Sequence, residues 1–212
     1  MLFDVFKDPS LLLARVVVLV VAFSVHEFAH AWTANYFGDD TPRMNGRLTL
    51  NPLAHLDPIG SLLLLVAGFG WAKPVPVSPY VLQRRAPSAL MWVSLAGPLS
   101  NFLMAVFAAI PFRLGLVSLY SSNSQPHLIP GASEILWEFL LINLILMLFN
   151  LIPISPLDGD KIADYFFPPA WGRVLDNIRP YGPVILILVA FTGLINFIIG
   201  PALNVLLRLL LG

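Results

Sequence analysis

Apolar residues run in long stretches along this chain, and the polar positions between them fall in short clusters rich in proline and glycine. Crossing a bilayer takes about 20 mostly apolar residues. Four stretches reach that length: 11–36, 88–116, 135–154 and 181–199. Gly200-Pro201 follows the fourth, and then a short apolar tail, 202–211. The tail is too short to count as a span and reads as a C-terminal apolar helix at the interface or the end of a kinked one. Residues 59–71 are also apolar, but 13 residues are too few for a straight crossing and fit a re-entrant or interfacial segment. Ahead of them, Arg43-Met44-Asn45-Gly46-Arg47-Leu48 reads as a small β-hairpin turning at Asn45-Gly46. Behind them, Lys73-Pro74-Val75-Pro76-Val77 reads as an extended edge or polyproline segment. The pattern predicts an all-α polytopic membrane protein with about four transmembrane helices and these smaller elements. It forms a single domain over 1–212, with its core in 11–165.

Composition narrows the class. The chain is 58% hydrophobic and 11% charged, against about 25% charged in an ordinary soluble domain. Net charge is zero, so nothing points to nucleic acid as a partner. There are no cysteines, which excludes disulfides and thiolate metal sites. Asp8-Pro9-Ser10 breaks the chain before the first apolar run, and no small-residue cleavage site is present. The first segment is therefore expected to stay in the membrane as its own insertion signal.

The first apolar run contains His26-Glu27-Phe28-Ala29-His30 in its second half. A helix places i and i+4 on one face, so His26 and His30 can grip one metal ion together. Glu27 beside them suits a general base acting on a metal-bound water. Ionisable groups are costly in hydrocarbon, and a cluster of them there marks a functional site. The bland alternative is a pair of structural histidines hydrogen-bonded within a helical bundle.

A catalytic zinc commonly takes three protein ligands and one open position. Candidates for the third ligand are Asp158, Asp160, Asp164, Asp57, His55 and His127. His127 lies in a loop predicted on the opposite face. His55 and Asp57 sit in the turn-rich loop 51–58, where local hydrogen bonding is the simpler role. Asp158 is the best candidate, because it closes Phe149-Asn150-Leu151-Ile152-Pro153-Ile154-Ser155-Pro156-Leu157-Asp158-Gly159 directly after an apolar span. Pro153 and Pro156 end the helix there and free backbone groups, which membrane depth tolerates beside a cavity or a partner. The competing role for Asp158 is to cap the next helix. Asn150 suits a hydrogen bond to a substrate backbone or developing oxyanion, or a plain interhelical contact. Asn101 and Asn143 read as helix-packing residues, and Glu134 and Glu138 as acids at a helix start.

Ligands of one ion share a depth. If Asp158 joins the His pair, the 11–36 and 135–154 spans end on the same face, so 59–71 should not cross. Positive charge then orients the chain. Arg43, Arg47, Lys73, Arg84, Arg85, Lys161, Arg173 and Arg179 fall on the site's face, eight against three (Lys7, Arg15 and Arg113) opposite. Arg15 sits near the start of its span and is able to snorkel. The expectation is a multi-pass protein of the cell membrane with its site facing the cytoplasm.

These residues resemble the site-2 protease family of intramembrane zinc metalloproteases. The resemblance is carried by Phe23 through Ala31, by Gly46-Arg47-Leu48-Thr49-Leu50-Asn51-Pro52-Leu53, by Ala96-Gly97-Pro98-Leu99-Ser100-Asn101, and by Asn150 through Gly159. It implies one Zn2+ held by His26, His30 and Asp158, with Glu27 as the catalytic acid and base and Asn150 holding substrate. It also implies cleavage of transmembrane or membrane-anchored protein substrates, often in regulated proteolysis, by a compact member without a PDZ or CBS domain. The lipid bilayer is the other expected partner, and self-association stays open. Asp160-Lys161 stands where the family pattern suggests a small residue and then Arg or His. Two other classes share the His pair: a metal transporter or sensor, for which the polar path is sparse, and a non-catalytic scaffold, against which the intact Glu27 argues.

Overall fold

The structure, a computed structural model, describes residues 9–58, 60, 72–118 and 129–212. Among the described residues three helices are long and apolar enough to span a bilayer: α1 (Pro9–Tyr36), α5 (Ala89–Arg113) and α6 (Ala132–Asn150). Short helices α2 (Thr41–Met44), α3 (Pro52–His55) and α4 (Pro79–Arg85) lie between α1 and α5. After α6 come α7 (Asp158–Phe166), α8 (Pro169–Ile178), a 3-10 turn (Arg179–Tyr181), α9 (Gly182–Phe191) and α10 (Leu194–Leu211).

The three long helices pack on one another, and α7 packs against α5. Close approach follows from small residues. Ser10, Ala14, Val18, Ala22, His26, His30 and Ala34 are all buried and spaced four apart, so they form one stripe along α1. On α5 the buried set includes Ser94, Gly97, Asn101, Ala105 and Ala108. The two histidines thus stand in the buried seam between α1 and its neighbours. An apolar cluster lies on each side of them: Ala34, Leu82, Ala89 and Val93 towards one end, and Ala105, Ala108, Ala109, Leu140 and Leu144 towards the other, with α10 leucines against the second.

The helix ends have local causes. At the start of α6 the Glu134 carboxylate accepts from Gly131 N–H at 2.9 Å, so the helix begins slightly earlier than the apolar run. It stops at Asn150, ahead of Pro153 and Pro156, which cannot continue its ladder.

Two expectations need correction. Among the described residues there is no strand, and Arg43 to Leu48 is not a hairpin. Thr41–Met44 is a helical turn closed by Gly46 at φ 66°, with Gly46 N–H bonded to Arg43 O at 3.0 Å and Arg47 N–H to Pro42 O at 2.8 Å. An Asn-Gly pair serves such a helix terminus as well as a hairpin, since both need a positive φ. The only β-type pairing described is an antiparallel bridge between Leu56 and Ala72. The second correction concerns 181–199. This is not one helix: Gly193 at φ 72° separates α9 from α10, and α10 runs through Pro201 to Leu211, taking in the predicted tail. The predicted re-entrant segment, 59–71, lies outside the described residues apart from Gly60.

Buried polar side chains pin the loops around the bundle. Asp39 accepts from Thr41 N–H at 3.0 Å and Ser78 N–H at 2.6 Å. Arg47 donates to Ala54 O and, at 3.2 Å, to Lys73 O, tying three segments together.

Candidate metal centre

His26 and His30 project from the C-terminal half of the α1 seam, and Asp158 enters from the first turn of α7. His26 Nε2 lies 3.0 Å from His30 Nε2, and Asp158 Oδ2 lies 3.2 Å from the first and 3.3 Å from the second. Both histidines are buried, as is Glu27. Among the described residues His26, His30 and Asp158 form the one group with metal-ligand geometry.

The hydrogen bonds behind the imidazoles fix their proton positions. The Phe139 carbonyl can only accept, so Asn143 Nδ2 donates to it at 2.8 Å. Asn143 Oδ1 is then the acceptor for Asn101 Nδ2 at 2.8 Å. Asn101 Oδ1 in turn accepts from His26 Nδ1–H at 2.5 Å. His30 Nδ1 has the Val93 carbonyl 2.6 Å away and must donate too. In its neutral, metal-binding form each ring therefore carries its proton on Nδ1 and directs an Nε2 lone pair inward. Two nitrogen lone pairs and a carboxylate oxygen converge with no donor among them, and Asp158 Oδ2 is buried without a hydrogen-bond partner. A cation resolves that arrangement. Tetrahedral zinc ligands at about 2.0–2.1 Å from the ion lie about 3.3–3.4 Å from each other, close to the separations seen. The donor set fits a zinc ion.

Backbone makes room for it. A Cβ on Gly97 would stand 2.3 Å from His30 Nε2 and 2.6 Å from His26 Nε2, so only glycine fits beneath the rings. One residue on, Pro98 cannot donate to Ser94 O and crowds that carbonyl. The turn it loosens includes Val93, whose carbonyl meets His30. A Cβ on Gly159 would lie 2.4 Å from both Leu151 O and Ile152 O, so the loop from α6 folds tightly onto the start of α7. Asp158 is the first residue of α7 and makes no capping hydrogen bond; its side chain goes to the imidazoles instead.

The other candidate ligands are elsewhere. His55 is fully buried with Nε2 2.7 Å from Thr49 O, and Asp57 accepts from Gly60 N–H at 2.8 Å. Asp160 and Asp164 both receive Arg179, whose guanidinium is held above its usual range chiefly by Asp160. His127 lies outside the described residues. Asn150 ends α6 with Nδ2 donating to Leu146 O at 3.0 Å, a contact within its own helix. Glu27 makes no hydrogen bond to another described side chain.

Asn101 and Asn143 make the interhelical contact expected of them, and Asn101 in addition orients His26. Each is a lone amide in an apolar helix, and that signature does not separate packing from orientation. Gly97 one turn before Asn101 is the signal that marks the metal-facing stripe of α5. Glu138 and Arg15 meet each other: Glu138 is buried, and Arg15 Nε donates to it at 2.8 Å, an ion pair between α6 and α1.

Sequence comparisons point the same way. The chain is 39% identical over 195 residues to the candidate zinc metalloprotease YwhC of Bacillus subtilis, covering 92% of this chain and 88% of that one. It is 31% identical to the candidate zinc metalloprotease Rip2 of Mycolicibacterium smegmatis, over 85% of this chain and 70% of the relative. Rip2 of Mycobacterium tuberculosis H37Rv is 29% identical over 84% of this chain and 66% of its own. No family model matches, and no solved structure is a significant match.

Proposed function

Given that the chain belongs to the site-2 protease family of zinc metalloproteases, we propose that it is a zinc-dependent intramembrane endopeptidase acting on transmembrane or membrane-anchored proteins. The observation that carries this is the convergence of three ligand atoms, from His26 and His30 on a helix suited to a bilayer and from Asp158 on the short helix α7 that follows another such helix. Zinc there supplies Lewis acidity, polarising a peptide carbonyl and making water acidic enough to give up a proton near neutral pH.

The chain's own groups do the rest. His26 and His30 present Nε2 because Asn101 and Val93 hold their Nδ1 protons. Glu27, adjacent in the helix, takes a proton from the attacking water as its oxygen bonds to the carbonyl carbon. It then delivers that proton to the departing amine nitrogen as the C–N bond breaks, so its charge is restored. Asn150 hydrogen-bonds the substrate backbone, which must be extended, since a helix occupies its own carbonyls. The extended stretch 73–77 offers an edge alongside it. The excess of Lys and Arg on the site's side of the bundle favours a cytoplasm-facing site in the cell membrane.

A transporter would need a polar path continuing beyond the site. Instead, the seam next to His26 is lined by Ala22 and Val18. Quantitative proteomics of membranes expressing the wild type or Glu27→Gln tests the proposal. Uncut membrane proteins should accumulate in the variant. Identical membrane proteomes, with zinc transport by the purified wild type, would favour the transporter.

A further inference from the structure

The segment after α7 is outside the core expected from sequence, yet it grips the third ligand's loop from both sides. Arg179 Nε donates to both oxygens of Asp160, at 3.0 and 3.1 Å, two residues after Asp158. Its Nη2 reaches Asp164, also on α7, and its Nη1 reaches Asp176 on α8. Asp160 is only 5% exposed, so the acid is buried while the Arg179 side chain keeps partial exposure. On the other side, the Gly182 Cα rests against Ser155 O, three residues before Asp158, so closely that a Cβ there would come within 1.9 Å. The two contacts come from one segment and bracket the ligand in sequence. The first also gives a partner to Asp160, which with Lys161 departs from the family pattern.

We propose that Arg179 is a positioning residue for the metal centre. Through Asp160 it fixes the first turn of α7, and so the direction in which Asp158 offers its carboxylate. The physical case is that Asp158 has no anchor of its own. It begins a helix after a turn-rich loop, its side chain caps nothing, and its aim depends on how firmly the first turn is held. Partners that orient a ligand typically change metal affinity by about 10–100-fold when removed.

The inference rests on the zinc reading above, and its test separates the two. The full chain is purified in detergent and loaded with zinc. Zinc release into a chromogenic chelator is then timed, and the Co(II)-substituted form is followed by its visible absorption. Arg179→Gln and Asp160→Ala should each release zinc about 10–100-fold faster, with a shifted cobalt band and unchanged helical content by circular dichroism. The double variant should be no faster than either single one. Asp176→Asn, which removes only the α8 partner, should stay within twofold of wild type. If Arg179→Gln fails to fold, Asp160→Ala carries the comparison, because it leaves Arg179 its other two carboxylates. Release within twofold of wild type in the folded variants would overturn the inference, as would an equal effect from Asp176→Asn. A wild type with no zinc to release would instead overturn the metal reading itself.

Discussion

His26 donates its Nδ1 proton to Asn101 across 2.5 Å, and this contact decides which imidazole nitrogen faces the metal position. The orientation originates at the Phe139 carbonyl and is relayed through Asn143. Asn101→Ala removes the acceptor and frees His26 to rotate or change tautomer. Zinc affinity, measured by competition with a chelator, should fall about 10–100-fold. Asn143→Ala should weaken binding less, because Asn101 keeps its contact with His26.

Gly97→Ala provides a test in which two physical effects have opposite signs. Helix propensity alone favours alanine over glycine by about 1 kcal/mol. The new methyl, however, would meet both imidazoles at under 3 Å. The steric effect should dominate at the site: cleavage of a membrane-anchored substrate should drop about 100-fold, as expected for a displacement near 1 Å. Activity at wild-type level would mean that the rings are not held where they are described.

The Arg15–Glu138 pair should act on stability and not on chemistry. Glu138 is 3% exposed, and removing it alone strands a guanidinium in apolar surroundings. Glu138→Ala should cost about 3 kcal/mol, the lower end for a broken buried pair, because Arg15 retains some exposure. Arg15→Leu combined with Glu138→Leu should recover most of that. Unfolding in detergent reads the difference, and the zinc content of the folded fraction should not change.

The metal centre was largely legible because its parts are chemically rare in an apolar chain. Two histidines at i and i+4 with an acid between them, and an aspartate after two helix-ending prolines, require little tertiary knowledge. The loop chemistry was less legible. Asn45-Gly46 announces a positive φ but not which structure uses it, and here a helical turn does. Likewise, the run 181–199 is apolar throughout, and hydropathy carries no mark of the break at Gly193. Contacts that join distant positions, such as Asn101 with Asn143 or Arg179 with Asp160, depend on how helices rotate against one another. The stripe of small residues on α1 was the available clue to that rotation, since residues spaced four apart define the face that other helices approach.

Chelation should separate metal binding from folding. Most of the seam, Ser10 to Ala22 and Ala34, and the two apolar clusters contain no ligand, so the zinc-free chain should keep its helical content while losing activity. Added zinc should then restore cleavage in the wild type but not in Glu27→Gln.

The most direct measurement is zinc per chain in purified wild type, Glu27→Gln, His26→Ala and Asp158→Ala, by elemental analysis beside a cleavage assay. The prediction is about one zinc per chain in the wild type and in Glu27→Gln, with cleavage only in the former, and little zinc in the two ligand variants. Full zinc occupancy in Asp158→Ala, or normal cleavage by Glu27→Gln, would contradict the assignment of these residues.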